Sequence, residues 1–253
     1  MRLSPFGPID SALAPAPDRK RIAGLTAVPY AHRGLHGAGR VENSRAAFEA
    51  AIAAGHGIEL DVQASADGEA FVIHDYDLDR LTGSRGKIAG LTASELRAIG
   101  LSGTDEMLAP LSDILALIAG RVPLLIELKA PNRHVGPLCN AVRRALEGHG
   151  GAVGVMSFNP EVGRWFALHA PKLARGLVVT ESGRKGRRGR LERHLALWRA
   201  RPDFLAYDIR DLPSRFAGPQ RARGLPVLTW TVRTPDERAR ASAHADQIIY
   251  EAA

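Results

Sequence analysis

The feature that most constrains the fold is a regular alternation of short apolar, strand-like segments with longer, helix-like segments. Alternation of this kind favours a parallel sheet covered by helices, and eight repeats favour a sheet that closes into a barrel. An open, doubly wound sheet is the alternative, but no glycine-rich dinucleotide-binding motif follows any of the strand-like segments. The 253 residues are therefore predicted to form one α/β barrel domain preceded by a short arm.

The predicted elements cover most of the chain after residue 24. Strands are predicted at 25–31, 57–62, 124–129, 153–158, 177–180, 204–209, 227–232 and 247–250, and helices at 44–54, 111–119, 135–147, 160–169, 191–201, 215–223 and 235–243. Asn43 is the predicted N-cap of the first of these helices. A hairpin strand at 70–73 follows the turn Asp67-Gly68.

Two segments do not follow the alternation. Residues 77–110 are predicted to be an irregular insertion that holds one short helix, around 95–99, capped by Thr92. Residues 1–24 are rich in proline and alanine and are predicted to be an extended N-terminal arm, with the barrel domain spanning 25–253.

The chain is basic, since 34 lysines and arginines against 27 acids give a net charge of +7. Much of the excess lies in residues 183–190, a run that is more often a solvated loop than an anion-binding patch. If the run is functional, it favours phosphorylated substrates or a weak contact of Arg184 to Arg190 with an anionic membrane surface. Nucleic-acid binding is not expected, because no recognition motif accompanies the charge.

No segment has the length of a membrane span, and prolines interrupt the N-terminal segment before an apolar signal core can form. The single cysteine, Cys139, excludes a disulfide within the chain and is expected to be a buried, inert thiol. A cytoplasmic protein is therefore expected. The sequence does not predict an oligomeric state.

Acidic side chains follow apolar strand-like runs at two places. Glu59 and Asp61 share one face of a predicted strand, and Glu127 and Lys129 share a face of another. Buried acids side by side need a cation or shared protons. Carboxylate oxygens without cysteine suit Mg2+ or Ca2+, and the alternative is a buried ion network with Arg33 and Lys129.

Two histidines stand at strand ends beside these acids. His32 and His74 have ordinary pKa values near neutrality, so one could accept a proton from the nucleophile while the other donates one to the leaving oxygen. Arg33 and Lys129 would hold a phosphate. Trp230 is either a core residue or a wall of the substrate pocket. The polar residues at or near predicted carboxyl ends of strands are His32, Asp61, Lys129, Ser157, Asp208 and Trp230, and active sites of barrels gather at those ends.

With these motifs the chain resembles the glycerophosphodiester phosphodiesterases. The matching residues are His32-Arg33-Gly34, Glu42-Asn43-Ser44, Glu59-Leu60-Asp61, His74-Asp75, Glu127-Leu128-Lys129, Ser157-Phe158-Asn159 and Trp230-Thr231-Val232. The resemblance runs from about residue 28 to the end. It implies a TIM (β/α)8 barrel with a small insertion after the second strand. The activity it implies is hydrolysis of glycerophosphodiesters to glycerol 3-phosphate and an alcohol.

The resemblance also implies roles for residues. Glu59, Asp61 and Glu127 would bind one divalent metal ion, and His32 and His74 would be the acid–base pair. The other implied roles are contact of Arg33 and Lys129 with the phosphate, and support of the metal and substrate region by Glu42. Whether water or a glycerol hydroxyl attacks first is left open.

The chain departs from the family's pattern in three ways. Ser44 replaces a threonine, the last strand lacks a Thr-Asp ending, and the closing helix is missing, a gap that the N-terminal arm is expected to cover. Two other hypotheses stay open at this point. One is a lysophospholipase D acting on membrane lysophospholipids through the same site. The other is a non-catalytic phosphate-binding barrel, which is disfavoured because no motif histidine or metal carboxylate is missing.

Overall fold

The structure is a computed structural model that describes residues 6–37 and 39–252. Its strands are β1 (Tyr30–His32), β2 (Gly57–Ala64), β3 (Ala70–Val72), β4 (Leu124–Leu128), β5 (Val153–Ser157), β6 (Ala174–Val179), β7 (Phe204–Asp208), β8 (Val227–Val232) and β9 (Gln247–Tyr250). Its α-helices are α1 (Gly7–Leu13), α2 (Arg19–Ile22), α3 (Arg45–Ala53), α4 (Asp79–Thr82), α5 (Ala93–Arg97), α6 (Leu111–Ile118), α7 (Gly136–Ala145), α8 (Pro160–His169), α9 (Arg187–Ala200), α10 (Ala217–Ala222) and α11 (Pro235–His244).

The strand order identifies the fold. The sheet runs β1-β9-β8-β7-β6-β5-β4-β2-β3, and β1 also pairs with β2. The order is therefore closed, with β3 added as an antiparallel hairpin strand, and the predicted TIM (β/α)8 barrel is confirmed. Among the described residues, no helix combines the length and the apolar composition that crossing a bilayer requires.

Residues 30–153 form one compact unit. In this unit β2 pairs in parallel with β1 and with β4. The register places His32 beside Glu59 and Asp61 beside Glu127. The pairing of three short apolar strands therefore collects the polar residues that the sequence analysis singled out.

The insertion after β3 has an apolar cluster of its own. Phe71 and Ile73 of the hairpin segment pack with Leu78, Ile88 and Leu96, and each of these five side chains is fully buried. The predicted cap at Thr92 is present as a capping box with Glu95, and it begins α5. The insertion is thus a packed structure that holds the segment after β3 in place.

Residues 6–29 and 154–251 form the other compact unit, built on the parallel strands β5 to β9. The N-terminal segment belongs to it, and α1 packs against α9 through the fully buried Asp10. The Asp10 carboxylate accepts hydrogen bonds from His194 Nδ1 at 2.8 Å, Trp198 Nε1 at 2.8 Å and Gln220 Nε2 at 2.7 Å. The prediction of an extended arm is wrong for residues 7–13 and 19–22, which are helical; residues 1–5 lie outside the described residues.

Three predicted boundaries are also wrong. The first strand begins at Tyr30, because the apolar residues before it include a 3-10 turn, Ala23–Leu25. Ser44, not Asn43, caps α3, since its Oγ accepts from the Ala47 amide at 3.1 Å. The basic run is only partly a loop, because α9 begins at Arg187 and arginine is a good helix former. Cys139 is buried, as predicted, and burial raises the pKa of its thiol to about 12.

Candidate active site

Three carboxylates from β2 and β4 lie together in the unit formed by residues 30–153. Glu59 and Asp61 are each 1% exposed and Glu127 is 7% exposed. One carboxylate oxygen from each lies within 4.8 Å of the others. The alternation of side chains along β2 and the parallel pairing of β2 with β4 place them on the same face. The structure therefore brings together the three acids that the sequence predicts as metal ligands.

Two cations pair with this acidic cluster. Lys129 Nζ lies 2.9 Å from Asp61 Oδ1 and 2.6 Å from Glu127 Oε1. The Arg33 guanidinium lies 3.3 Å from Asp61 Oδ2 and 2.8 Å from Glu42 Oε1. These are the pairings of the buried ion network considered above. Acids still outnumber cations in the resulting network, which consists of Glu42, Glu59, Asp61, Glu127, Arg33 and Lys129.

The excess of acid shows in the pKa values. Burial and the neighbouring Asp61 and Glu127 raise the pKa of Glu59 well above its usual range. Burial raises the pKa of Glu127 to about 7, against the opposing charge of Lys129. Burial also acts on Asp61, but Lys129 and Arg33 outweigh it and lower the pKa of that carboxyl. Asp61 therefore stays ionised, whereas Glu59 and Glu127 would ionise fully only beside a further positive charge.

The donor set fits a divalent cation. Glu59, Asp61 and Glu127 offer only oxygen ligands, which Mg2+ and Ca2+ prefer. Glu59 Oε1 is buried and accepts no hydrogen bond, so one ligand atom is held ready without a partner. A cation at this point would oppose the burial and the repulsion between carboxylates that raise the pKa values of Glu59 and Glu127. These three residues could therefore hold a metal ion.

His32 lies at the end of β1 against this acidic cluster. Its Nε2 is 3.9 Å from Glu59 Oε2, and its side chain is 13% exposed. The next residue, Arg33, has a φ of +56° and donates its backbone N–H to the same Glu59 oxygen at 3.2 Å. The turn after β1 therefore directs both the imidazole and the guanidinium toward the acids.

His74 follows the hairpin and is oriented by its neighbour. Its Nδ1 lies 2.7 Å from Asp75 Oδ1, and the other Asp75 oxygen accepts from Arg80. The hydrogen bond from Arg80 lowers the pKa of Asp75 to about 2, so Asp75 stays ionised. With Asp75 accepting from Nδ1, the ring atom of His74 left to exchange protons is Nε2.

Three residues of the site were not predicted. Asn43 Nδ2 donates to Asp61 Oδ2 at 3.1 Å, and Arg80 Nη2 donates to Glu42 Oε1 at 2.6 Å while also holding Asp75. Gln63 Nε2 donates to the carbonyls of the segment that carries His74. Gln63 could have been found, because it continues the face of Glu59 and Asp61 at the same spacing of two.

Trp230 lies in the other compact unit, on β8. Its Nε1 donates to the Ala206 carbonyl at 2.9 Å, and its ring meets that of Phe158 edge-on at 5.6 Å between centroids. Phe158 is 47% exposed. Trp230 is half-buried beside this exposed ring, which fits a binding surface better than a core, and the role of Trp230 in substrate binding stays a prediction.

Comparisons with known proteins agree with this geometry. The model of the glycerophosphoryl diester phosphodiesterase family matches residues 32–251. A probable glycerophosphodiester phosphodiesterase 2 from Mycobacterium tuberculosis is 31% identical over 234 residues, covering 83% of this chain and 81% of that protein. A glycerophosphodiester phosphodiesterase from Bacillus altitudinis is 37% identical over 110 residues, 41% of this chain and 44% of that protein. The chain thus spans less than half the length of this second relative.

A solved structure matches over nearly the whole chain. It is that of an Oleispira antarctica phosphodiesterase in complex with the product sn-glycerol-3-phosphate. The TM-score is 0.76 at 23% identity, with 90% of this chain and 94% of that chain covered. At this identity the likeness supports the fold.

Proposed function

The chain belongs to the glycerophosphoryl diester phosphodiesterase family, and on that premise we propose that it hydrolyses glycerophosphodiesters to sn-glycerol 3-phosphate and an alcohol. The observation that carries the proposal is the buried acidic cluster of Glu59, Asp61 and Glu127 on β2 and β4, with His32 beside it on β1. The substrate is thus a small molecule with one anionic phosphodiester group.

A divalent cation, Mg2+ or Ca2+, is the proposed cofactor. Glu59, Asp61 and Glu127 would hold it, and Glu59 Oε1 is the ligand atom that has no partner of its own. When bound, the ion polarises the phosphoryl oxygens and neutralises charge that develops on them. Binding would also favour ionisation of Glu59 and Glu127, whose pKa values are raised by burial.

His32 and His74 are the proposed acid–base pair. Hydrolysis requires one proton to leave the attacking oxygen and one to reach the oxygen of the departing alcohol. Asp75 would orient the His74 ring for one of these transfers. His32 lies at the end of β1, beside Glu59 in the pairing of β1 with β2.

Binding of the phosphodiester is assigned to cations of the same unit. Arg33 and Lys129 are held by carboxylates and would stabilise charge on the phosphoryl oxygens. Glu42 positions Arg33 and Arg80 at once, and these two cations lower its pKa against the effect of burial. Trp230 would contact the rest of the substrate.

The alternative, a lysophospholipase D acting on membrane lysophospholipids, is not favoured by the names of the relatives. A weak contact with an anionic membrane surface through Arg184 to Arg190 has one supporting observation. Leu191 and Leu195 of α9 are 46% and 50% exposed, directly after the basic run. Exposed apolar side chains beside arginines are typical of interfacial helices. Activity on lysolipid vesicles that disappears when the arginines are replaced would favour the lysophospholipase D alternative.

The cytoplasmic location of the protein stays a prediction.

The test of the proposed function is release of sn-glycerol 3-phosphate from glycerophosphocholine and glycerophosphoethanolamine. The assay is run with Mg2+, with Ca2+ and with a chelator. We expect release only with a metal ion, and a loss of at least about 100-fold in His32→Ala and Glu59→Ala, because an acid–base group contributes about that much or more.

Two exposed residues outside the site provide matched controls. His134→Ala and Glu147→Ala change the same residue types at exposed positions and should keep full activity. Release that is unaffected by chelator and by both site substitutions would contradict the proposal.

A further inference from the structure

A cationic pocket lies in the unit that holds β5 to β9, and the proposed function does not use it. It has a volume of about 660 Å3 and opens where the chain leaves β6 and β7. The cationic side chains that line it are Lys185, Arg187, Arg190, Arg193, Arg210 and Arg215. Only two acids, Glu181 and Asp211, share the lining. It shares no residue with the acidic cluster of β2 and β4.

Both acids of this pocket already form hydrogen bonds or ion pairs within the protein. Glu181 accepts from Tyr207 Oη and from Ser214 Oγ, and its other oxygen lies 3.1 Å from Arg193. Asp211 accepts from Thr180 Oγ1 and from a backbone N–H. Glu181 thus pairs with Arg193, and Asp211 lies 3.6 Å from Lys185 Nζ. Arg210 pairs with Asp208, so three of the six cations that line the pocket have acidic partners.

Three arginines of the pocket have no acidic partner. Within residues 6–37 and 39–252, no ion pair involves Arg187, Arg190 or Arg215. By contrast, Arg184 and Arg188, which lie in the same basic run, both pair with Glu192. These three unpaired arginines therefore line one cavity, where an anion would reduce the repulsion between their like charges.

Two further features of the pocket favour an anion. Arg193 is 9% exposed, and its Nε is buried without an acceptor although the rest of its guanidinium is bonded. The fourteen-residue helix α9 begins at Arg187, and no side chain caps it after Gly186. Its first backbone N–H groups thus add partial positive charge at the same place.

From these observations we propose that the pocket lined by the segments that follow β6 and β7 is a second anion site that binds a phosphoryl group. Arginine forks match the oxygens of a phosphoryl group better than a point charge would. The volume is in the range of pockets that enclose small organic molecules, and it is larger than a bare phosphate needs. The concave shape favours a small soluble phosphate ester, and a phospholipid headgroup offers the same chemistry.

The test is calorimetric titration of the full chain with inorganic phosphate and with glycerol 2-phosphate. The pocket variant replaces the three unpaired residues, Arg187→Gln, Arg190→Gln and Arg215→Gln. The control variant is Arg184→Gln, Arg188→Gln and Arg199→Gln, which removes the same charge from arginines that pair with acids. We expect the pocket variant to bind at least about 10-fold more weakly than the wild type, and the control variant to stay within about 2-fold.

A second arm distinguishes the source of the phosphoryl group. Sedimentation with phosphatidylglycerol vesicles is compared with sedimentation with phosphatidylcholine vesicles for all three proteins. Binding of soluble phosphate that is lost only in the pocket variant supports the proposal with a soluble ester as ligand. Vesicle binding alone, lost only in that variant, supports it with a lipid headgroup.

Three results would overturn the proposal. One is equal weakening in the pocket and control variants, which would mean that net charge alone matters. A second is no saturable binding in either arm. The third is binding that the pocket variant keeps, which would place the anion at another site. All six replaced arginines are exposed, so both variants should fold. Arg190→Gln alone, compared with Arg188→Gln alone, repeats the test if either triple variant unfolds.

Discussion

Asp75 is the residue on which the orientation of His74 depends. Its carboxylate is bonded to His74 Nδ1 on one side and to Arg80 on the other, so an uncharged amide in its place would hold the ring less firmly. We predict that Asp75→Asn lowers kcat by about 10- to 100-fold, the usual effect of removing an orienting partner. KM should change by less than about 3-fold, since Asp75 is not assigned to substrate binding. Steady-state kinetics on glycerophosphocholine measures both.

Asp79→Asn is the matched control for this prediction. Asp79 is exposed in the first turn of α4, four residues from Asp75, and should tolerate the change. A value of kcat in Asp75→Asn equal to that of this control would mean that His74 needs no orienting carboxylate.

At this scale the sequence predicts which residue types form the site but not how they are connected. Glu59, Asp61 and Glu127 follow from strand spacing, because the alternation of side chains is a local property. Arg80 does not, since it reaches Glu42 across 38 positions of the chain, and its position depends on how the insertion packs. Asn43 was predicted as a helix cap for its residue type, while a φ of +56° directs its amide to Asp61 instead.

The helix α1 is attached to its unit mainly through one buried side chain, that of Asp10. Three donors from α9 and α10 converge on its carboxylate. Asp10→Ala would leave the buried donors of His194 and Gln220, and the half-buried Trp198 Nε1, without this acceptor. We predict that this substitution lowers the free energy of unfolding by about 3 to 5 kcal/mol, measured by urea denaturation. Amide exchange of residues 7–13 should become faster in the variant.

Asp18→Ala is the comparison for this prediction. Asp18 caps α2 through a single exposed hydrogen bond to the Lys20 amide, so its loss should be clearly smaller. If the two substitutions had equal effects, the bonds to Asp10 would not stabilise α1.

The alternation of elements was predictable for a physical reason. Strands buried on both faces are short continuous apolar runs, and β8 and β9 begin and end where predicted. Segments without a strong period were predicted less well. Helix α1 was not predicted because it has only seven residues and is stabilised by contacts distant in sequence. The start of α9 was not predicted because it lies inside a run whose charge is typical of a solvated loop.

At the scale of the whole molecule, charge is distributed unevenly. The chain carries +7 overall, yet acids dominate the buried cluster of β2 and β4, while unpaired arginines line the pocket formed by the segments after β6 and β7. The net charge could predict neither place, because both depend on which strand ends the fold brings together. Each place concentrates charge of one sign, and each should therefore respond to a counterion.

The acidic cluster should make the stability of the metal-free protein fall as pH rises. Burial raises the pKa of Glu127 from 4.5 to about 7, so between these values the folded protein keeps a proton that the unfolded chain has released. The contribution of this proton is complete below about pH 4.5 and is lost as pH rises through 7. The raised pKa of Glu59 acts in the same direction. In Glu127→Gln this part of the pH dependence should disappear, whereas Glu147→Gln, at an exposed position, should keep it.

A divalent ion should reverse that trend, because it competes with protons for the same oxygens. We predict that Mg2+ or Ca2+ raises the unfolding temperature more at pH 8 than at pH 5.5, and that binding at pH 6.5 releases protons. Calorimetry in two buffers of different ionisation enthalpy measures the released protons directly, without reference to activity. Stabilisation by the metal that is equal at both pH values, or that persists in a Glu59→Gln, Glu127→Gln double variant, would place the ion away from these carboxylates. Stabilisation that grows with pH and is lost in that variant would show that the protons and the ion share one site.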